Sequence, residues 1–407
     1  MKTYLVGGAV RDALLGKSIK DRDWVVVGSS VEELEALGYR QVGKSFPVFL
    51  HPQTNDEYAL ARTEKKTGRG YTGFSFDASK SVTLEEDLQR RDLTINAIAQ
   101  DDQGNLIDPY GGKADLDTGV LRHVSDAFVE DPLRVLRTCR FAARFNFTIA
   151  PETQMLLREI VANGELSYLP AERIWNECLT ALSENRPDIF VKAMRNCGAL
   201  ATVLPEVDAL FGVPQPPKHH PEIDTGEHVC LALKQAALKK FSPSVRYAVL
   251  VHDVGKGLTP NEILPKHKGH EEAGVPLVEE ISKRLKVPKD YRELALTVTR
   301  HHLQIHRARE MGAPKLLSLL EALDAFRRPQ RLEDILAACL ADATGRTGLD
   351  GNDYPSAGYL REAALAVKKV SATVIKEQLG EDENFIYAYR SAREAALDRF
   401  IGDYEQT

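Results

Sequence analysis

The chain has 407 residues, 43% hydrophobic and 28% charged, with a formal net charge of −6 and a pI near 6.1. This is the make-up of a globular protein of several domains, and it excludes disordered and low-complexity classes. The acidic balance argues against nonspecific coating of nucleic acid but leaves room for a local basic RNA site.

In chain order, Thr3–Val6 reads as a short strand, followed by Gly7–Gly8 and a helix to Leu15. Trp24–Val27 is a second strand, Val31–Leu37 a helix and Phe46–Leu50 a strand. Ile95–Ala99 and Leu106–Ile107 continue the pattern, giving an α/β head over residues 1–112. From Asp131 the signals turn helical: Leu133–Phe145, with Pro132 suited to its first turn, then Gln154–Ala162, Arg173–Leu182 and Ile189–Cys197. Residues 113–211 form this helical part. The prolines of Gly212–Pro221 mark 212–227 as a linker. Helices follow, Glu227–Lys240 and Val245–Leu250 among them, with a helical domain over 228–345 and a helical tail over 346–407. The predicted fold is thus α+β, an α/β head followed by all-helical domains.

No apolar run approaches the roughly 20 residues that span a bilayer. Arg11 and Asp12 interrupt the apolar start before a signal-peptide core forms. Five cysteines at wide spacing, with no CxxC, read as reduced buried thiols. A cytoplasmic protein with no membrane partner is expected, as a monomer or a homodimer.

The stretch LVGGAVRDALLGKSIKDRDW, Leu5 to Trp24, is the most informative. Asp21 and Asp23 stand two apart at the start of a strand, so both carboxylates face one side. Such a pair suits a hard divalent ion, which needs oxygen ligands. Gly7 and Gly8 at a strand-to-helix turn allow a phosphate close to backbone N–H groups, and Arg11 reaches the same place. A lone DxD is usually a solvated turn; its conjunction with Gly-Gly and Arg-Asp is far more specific. Downstream, Arg134, Arg137, Arg140 and Arg144 share about a third of one helix circumference. On an isolated helix that face would be a solvated basic stripe.

GGAVRD with DRD resembles the nucleotidyltransferase motif of the DNA polymerase β superfamily. QRRDLTINAIA, Gln89 to Ala99, resembles the second motif of class II tRNA nucleotidyltransferases and bacterial poly(A) polymerases. EDPLRVLRTCRFAARF, Glu130 to Phe145, resembles their base-choosing motif, and AERIWNE, Ala171 to Glu177, the neck motif. The family resemblance implies addition of C, C and A to the 3′ end of tRNA from CTP and ATP. Gly8 and Arg11 would bind phosphate, and Asp21 and Asp23 would hold Mg2+. Arg91 would contact nucleotide, with Asp92 near the ribose. Asp131 and Arg134 would read the base edge, and Arg137 and Arg140 would complete the pocket. Poly(A) polymerase is the rival with the same motifs, but its usual basic C-terminal extension is missing from EAALDRFIGDYEQT. A partial CC- or A-adding enzyme is a second rival, decided by a flexible loop between the first two motifs. A binding module with an inactive head is a third, opposed by the intact Asp21 and Asp23.

VHDVGKG, Val251 to Gly257, begins a second constellation. His228 lies upstream and His270, His302 and Asp342 downstream; histidine with carboxylate suits divalent transition metals. The order H…HD…H…H…D resembles the HD phosphohydrolase superfamily, which implies His228, His252, Asp253 and Asp342 as ligands. His270 and His302 have rivals in the adjacent His267 and His301. His219, His220 and His306 read as structural or exposed. The likeness is nearest to proteobacterial CCA-adding enzymes with a C-terminal HD domain. It implies phosphatase, 2′-nucleotidase and 2′,3′-cyclic phosphodiesterase activity, with a metal such as Ni2+.

Overall fold

The computed structural model describes residues 1–19, 21–42, 48–66, 74–218, 220–349, 351–379 and 384–405. It divides into two compact units. The first comprises Met1–Cys178 and Ile189–Val203, the second Leu179–Asp188 and Leu204–Thr407.

The first unit is built on a seven-stranded sheet in the order β3-β4-β5-β2-β1-β8-β9. Its strands are β1 (Lys2–Val6), β2 (Asp23–Val27), β3 (Arg40–Val42), β4 (Val48–Leu50), β5 (Glu57–Leu60), β8 (Ala99–Gln100) and β9 (Leu106–Ile107). A separate hairpin, β6 (Thr63–Lys66) with β7 (Phe74–Asp77), completes the numbering. The run Trp24–Val27 is β-branched and apolar, which suits a strand covered on both faces. Val25 packs on one face with Val6, Leu88 and Ala99. Val26 packs on the other with Leu34, Phe49 and Leu60. β1 and β2 are antiparallel with Val6 opposite Asp23. That register sets the first residue of β2 beside the Gly7 turn that enters α1 (Gly8–Leu14).

Two short helices of this unit carry complete capping boxes: α2 (Val31–Ala36) through Ser30 and Glu33, and α3 (Leu84–Gln89) through Thr83 and Glu86. Phe46 and Pro47 of the expected Phe46–Leu50 strand lie outside the described residues, as does 67–73 of the loop between the first two motifs. Ile95–Ala99 is not a continuous strand. Thr94–Asn96 is a 3-10 turn, because Thr94 Oγ1 is drawn onto Asp115 (2.7 Å) and the Asn96 side chain turns inward. After α4 (Gly112–Thr118) and the parallel pair β10 (Val120–Leu121) and β11 (Thr148–Ile149) come the helices. These are α5 (Leu133–Phe145), α6 (Pro151–Ala162), α7 (Ala171–Ser183), α8 (Pro187–Cys197) and α9 (Ala199–Val203). α5 ends at Asn146, whose φ of 57° is one of the few left-handed conformations a non-glycine residue tolerates.

The second unit is helical throughout: α10 (Pro205–Asp208), α11 (Thr225–Leu238), α12 (Pro243–Val251), α13 (His270–Arg284), α14 (Lys289–His306) and α15 (Ala313–Ala322). It ends with α16 (Pro329–Thr344), α17 (Pro355–Lys368), α18 (Ala372–Gln378) and α19 (Phe385–Glu405). Leu233, Val249, Val298 and Leu336, from α11, α12, α14 and α16, are all buried. Arg246 is buried too and satisfies the carbonyls of Leu182, Glu184 and Phe241.

The stretch 212–227, expected as a linker, is folded into this unit. Pro214 bridges Asp224, Gln215 is 1% exposed, and Thr225 already opens α11. Proline ends helices there, but the carbonyls and side chains between the prolines are used in tertiary bonds. The division between the units falls earlier, between residues 178 and 204. All five cysteines are buried thiols. No described helix is long and apolar enough to cross a membrane.

Candidate active sites

In the first unit, a cavity of about 440 Å³ is lined by Gly7, Gly8, Arg11, Asp23, Arg91, Asp92, Asp131, Arg134 and Arg137, among others. Gly7 has φ 67°, and a Cβ there would stand 2.9 Å from Arg91 Nη1. Only glycine admits both the turn and that guanidinium. Asp23 opens β2, whereas Asp21 precedes the strand. Burial pushes the Asp23 carboxyl above its ordinary pKa, Arg91 opposes this, and the charge of Asp21 adds to it. The two carboxylates therefore share one electrostatic environment, with Asp21 lining a neighbouring depression that also includes Asp23.

Arg11 is buried between the Phe141 and Phe145 rings, 5.3 and 4.9 Å from their centroids, and donates to Asp12 and Asn96. Arg91 donates to the fully buried Asp87, which also takes two bonds from Arg90. Asp92 accepts from Arg137 at 2.9 and 2.7 Å and from Asn96 at 2.9 Å. Burial works against its ionisation, but Arg137 and Asn96 outweigh that and hold its pKa well below the carboxylate range. Asp131 accepts from the Leu133 amide and faces Arg173 at 3.3 Å. Arg134 donates to the carbonyls of Ala127 and Arg90. Arg140 is paired with Glu177 at 2.5 Å and is not among the cavity-lining residues. The basic face of α5 is thus a set of oriented guanidiniums, each on an acid or a carbonyl, and not a solvated stripe. Asn96, Arg173 and Glu177 belong to this arrangement although sequence reasoning gave them no role; only their place in the second and neck motifs marks them.

In the second unit, α11, α12, α13, α14 and α16 bring His228, His252, Asp253, His270, His302 and Asp342 together. Donor atoms of His228, His252 and Asp253 form one group within 4.8 Å of one another, and those of Asp253, His270 and His302 another; a third joins His252, His302 and Asp342. Asp253 turns Oδ2 to His252 at 3.3 Å and Oδ1 to His270 at 3.2 Å. His228 Nε2 is 3.0 Å from Asp342 Oδ1. The His252 ring bonds the Val249 carbonyl through Nδ1 at 2.8 Å. Its Nε2 is buried without a hydrogen-bond partner. Burial lowers the pKa of His252 and, further, of His302, so both rings favour the neutral form. At His270 burial also opposes the charge, but Asp253 outweighs it and raises the pKa. The carboxyls of Asp253 and Asp342 are held far below the ordinary carboxylate range: burial opposes this, and the neighbouring histidines, with Lys256 at Asp253, outweigh it.

The rival histidines are separated by this geometry. His270 and His302 point their Nε2 atoms at each other, 3.3 Å apart. His267 instead spans Thr259 and the Pro214 carbonyl, and His301 bonds Gln304 on the surface. His306, expected to be structural or exposed, is tied to the centre: its Nε2 is 2.6 Å from Asp342 and its Nδ1 2.8 Å from the Tyr354 hydroxyl. His220 faces Glu222 at 3.1 Å, and His219 lies outside the described residues. Lys256, the lysine of VHDVGKG, donates to Asp253 and Gln215 at 2.7 Å each. Gly255 is needed for close approach, since a Cβ there would be 2.0 Å from the His270 carbonyl oxygen.

Comparison with known proteins gives three family matches along the chain. The chain matches the Poly A polymerase head domain over residues 3–122 and the probable RNA and SrmB-binding site of polymerase A over 146–211. It matches the HD domain over 225–344. It is 58% identical over 381 residues to the Multifunctional CCA protein of Pseudomonas fluorescens, covering 93% of each chain. It is 58% identical over 407 residues to that of Alkalilimnicola ehrlichii, covering 99% of this chain and 98% of the relative. Among solved structures it is similar in fold to a Bacillus stearothermophilus CCA-adding enzyme in complex with CTP. That match has TM-score 0.62 and 22% identity, and covers 98% of this chain and 89% of that one. The Thermotoga maritima CCA-adding enzyme complexed with tRNA matches with TM-score 0.58 and 22% identity, covering 98% and 87%.

Proposed function

The chain belongs to the family of multifunctional CCA proteins, and we propose that it adds and repairs the 3′-terminal CCA of tRNA from CTP and ATP, releasing pyrophosphate. The observation that carries this reading is the single cavity in which the Gly7–Gly8 turn, Asp23, Arg11, Arg91 and the Asp131–Arg134 pair meet. Gly8 and Arg11 bind the triphosphate at the start of α1. Asp21 and Asp23 fit Mg2+: two adjacent carboxylates, one partly buried and raised in pKa, are a donor set that a hard cation stabilises. Mg2+ bound there supplies charge neutralisation at the α-phosphate and the leaving pyrophosphate. Arg91 contacts the nucleotide. Asp92 lies by the ribose and fixes Arg137 in the pocket wall, with Arg140 behind it on Glu177. Asp131 offers acceptors and Arg134 paired donors, the edge chemistry that tells C and A from G and U.

The HD domain is read as a metal-dependent phosphohydrolase with phosphatase, 2′-nucleotidase and 2′,3′-cyclic phosphodiesterase activity. The donor set fits a divalent transition metal such as Ni2+. The unpartnered Nε2 of His252 faces carboxylate oxygens, an arrangement that is repulsive without a cation. His228 Nε2 and Asp342 Oδ1 stand 3.0 Å apart, an imidazole nitrogen and a carboxylate oxygen of the kinds that such a metal would take. His228, His252, Asp253 and Asp342 would hold the ion, which supplies water activation against a phosphate ester. Removing a 3′-terminal phosphate would free the hydroxyl that the transferase needs.

The test is incubation of the purified protein with tRNA lacking its 3′ end. CTP and ATP are supplied separately and together and the products are sequenced. CCA addition is expected. A run of A would indicate a poly(A) polymerase, and addition of only CC or only A a partial enzyme.

A further inference from the structure

Glu222 has no part in either site as read from sequence, yet its side chain is 4% exposed and lies against the HD centre. Its Oε1 stands 3.0 Å from Nδ1 of His228, a close ion-pair contact without an aligned hydrogen bond, and 3.1 Å from Nδ1 of His220, to which it is hydrogen-bonded. Its Oε2 accepts from the Thr347 amide at 3.3 Å, in the loop just beyond the helix that carries Asp342. One carboxylate therefore touches the His228 ring and braces the loop behind Asp342, two residues whose own donor atoms are 3.0 Å apart.

The backbone gives a second, independent sign. Ile223, the next residue, has φ 61° and a side chain 46% exposed. A β-branched residue rarely takes that conformation, and no burial of its side chain accounts for it. What accounts for it is the turn. The Ile223 amide bonds the His220 carbonyl at 2.9 Å and its carbonyl takes the Gln215 amide at 2.7 Å. Asp224, one residue on, then caps α11 through the Glu227 amide. The strained residue delivers Glu222 to His228 while leaving the helix start intact.

We propose that Glu222 is a positioning residue of the HD centre, holding the Nδ1–H of His228 so that Nε2 is presented, correctly turned, to the metal. This role rests on the phosphohydrolase reading of that centre. A ligating histidine needs an acceptor on its other nitrogen to fix tautomer and ring orientation, and losing one weakens metal binding by about 10–100-fold.

The test uses the full chain. Co2+ affinity of wild type, Glu222→Ala and Glu222→Gln is measured by competition with a chromogenic chelator, alongside the melting temperature of each metal-free protein and CTP incorporation. Glu222→Ala is expected to bind Co2+ about 10–100-fold more weakly, with incorporation unchanged. Glu222→Gln, which keeps an oxygen acceptor, is expected to recover most of the loss. Equal losses in both variants at an unchanged metal-free melting temperature also support the role, with the charge as the active feature. Wild-type affinity in Glu222→Ala overturns it. So do losses that track a lowered metal-free melting temperature in both variants, which would make Glu222 a structural brace. A wild-type protein that takes up no Co2+ overturns the phosphohydrolase reading itself.

Discussion

Asp23 and Asp92 are both carboxylates in one cavity, and their surroundings give them opposite tasks. Asp23 lines the open cavity, with a carboxyl that partial burial and the charge of Asp21 raise in pKa, which fits its proposed part in holding a cation and not in holding the fold. Asp23→Asn is expected to abolish CTP incorporation while leaving the melting temperature within a degree or so of wild type; incorporation at the normal rate would refute the assignment. Asp92 is buried on Arg137, and its folded pKa is depressed below the ordinary value of 3.8. A depressed carboxylate adds stability above its unfolded pKa, and that stability is lost as pH falls through the folded value. Wild type should therefore lose melting temperature from about pH 4 downward. Asp92→Asn should be less stable at neutral pH by about 1–3 kcal/mol and show a flatter acid limb, as followed by thermal melts across that range. The proposed base choice also rests on single residues. Asp131→Ala and Arg134→Ala should raise misincorporation of UTP and GTP, whereas Arg11→Ala should weaken all four nucleotides alike, since phosphate contacts carry no base information. Sequencing of products made with all four nucleotides separates the two effects.

Among the elements, the short 3-10 segment after Asp253 shows how packing sets a site. Gly255 lets it touch the start of α13, where a Cβ would meet the His270 carbonyl at 2.0 Å and the Gly274 amide at 2.7 Å. Gly255→Ala must push α13 away, and with it His270 from Asp253. Phosphoester hydrolysis should fall sharply while CTP incorporation persists; wild-type hydrolysis would show that the contact is slack. The sequence disclosed Gly255 as part of a motif, but not the contact, because the partner is 15 residues away on another helix. The same limit explains the other differences. β2 and α5 were legible because period and composition are local signals. Ile95–Ala99 reads as a strand because its apolar residues are those of a strand, while the bond from Thr94 to Asp115 that bends its start into a turn is long-range. For His306 the sequence left structural and exposed roles open, because nothing nearby in the chain reveals that Asp342 and Tyr354 flank its ring. The proline-rich 212–227 read as a linker on composition, yet its carbonyls and Gln215 are consumed by His267, Lys256 and Thr225.

At the scale of the molecule, each site is assembled within one compact unit. The residues proposed for nucleotidyl transfer, from Gly8 to Arg140, lie in the first unit, and those proposed for hydrolysis, from His228 to Asp342, lie in the second. A domain with its own core answers for its own site, so the two chemistries should be separable by mutation and by metal. His252→Ala and Asp253→Ala are expected to lose hydrolysis of a 2′,3′-cyclic nucleotide and to keep CCA addition to tRNA lacking its end, with both reactions assayed on one preparation. The donor sets differ as well: carboxylates alone at Asp21 and Asp23, imidazoles with carboxylates at the HD centre. Hard Mg2+ suits the first and a transition metal the second. Exhaustive chelation should therefore stop both reactions, Mg2+ alone should restore addition, and Ni2+ should be needed to restore hydrolysis. Parallel loss of both activities in a folded HD variant, or recovery of both with Mg2+ alone, would mean that the second donor set serves the transferase or holds the fold. Retention of hydrolysis in His252→Ala would reduce that set to a structural remnant, because the unpartnered Nε2 of His252 would then have no task.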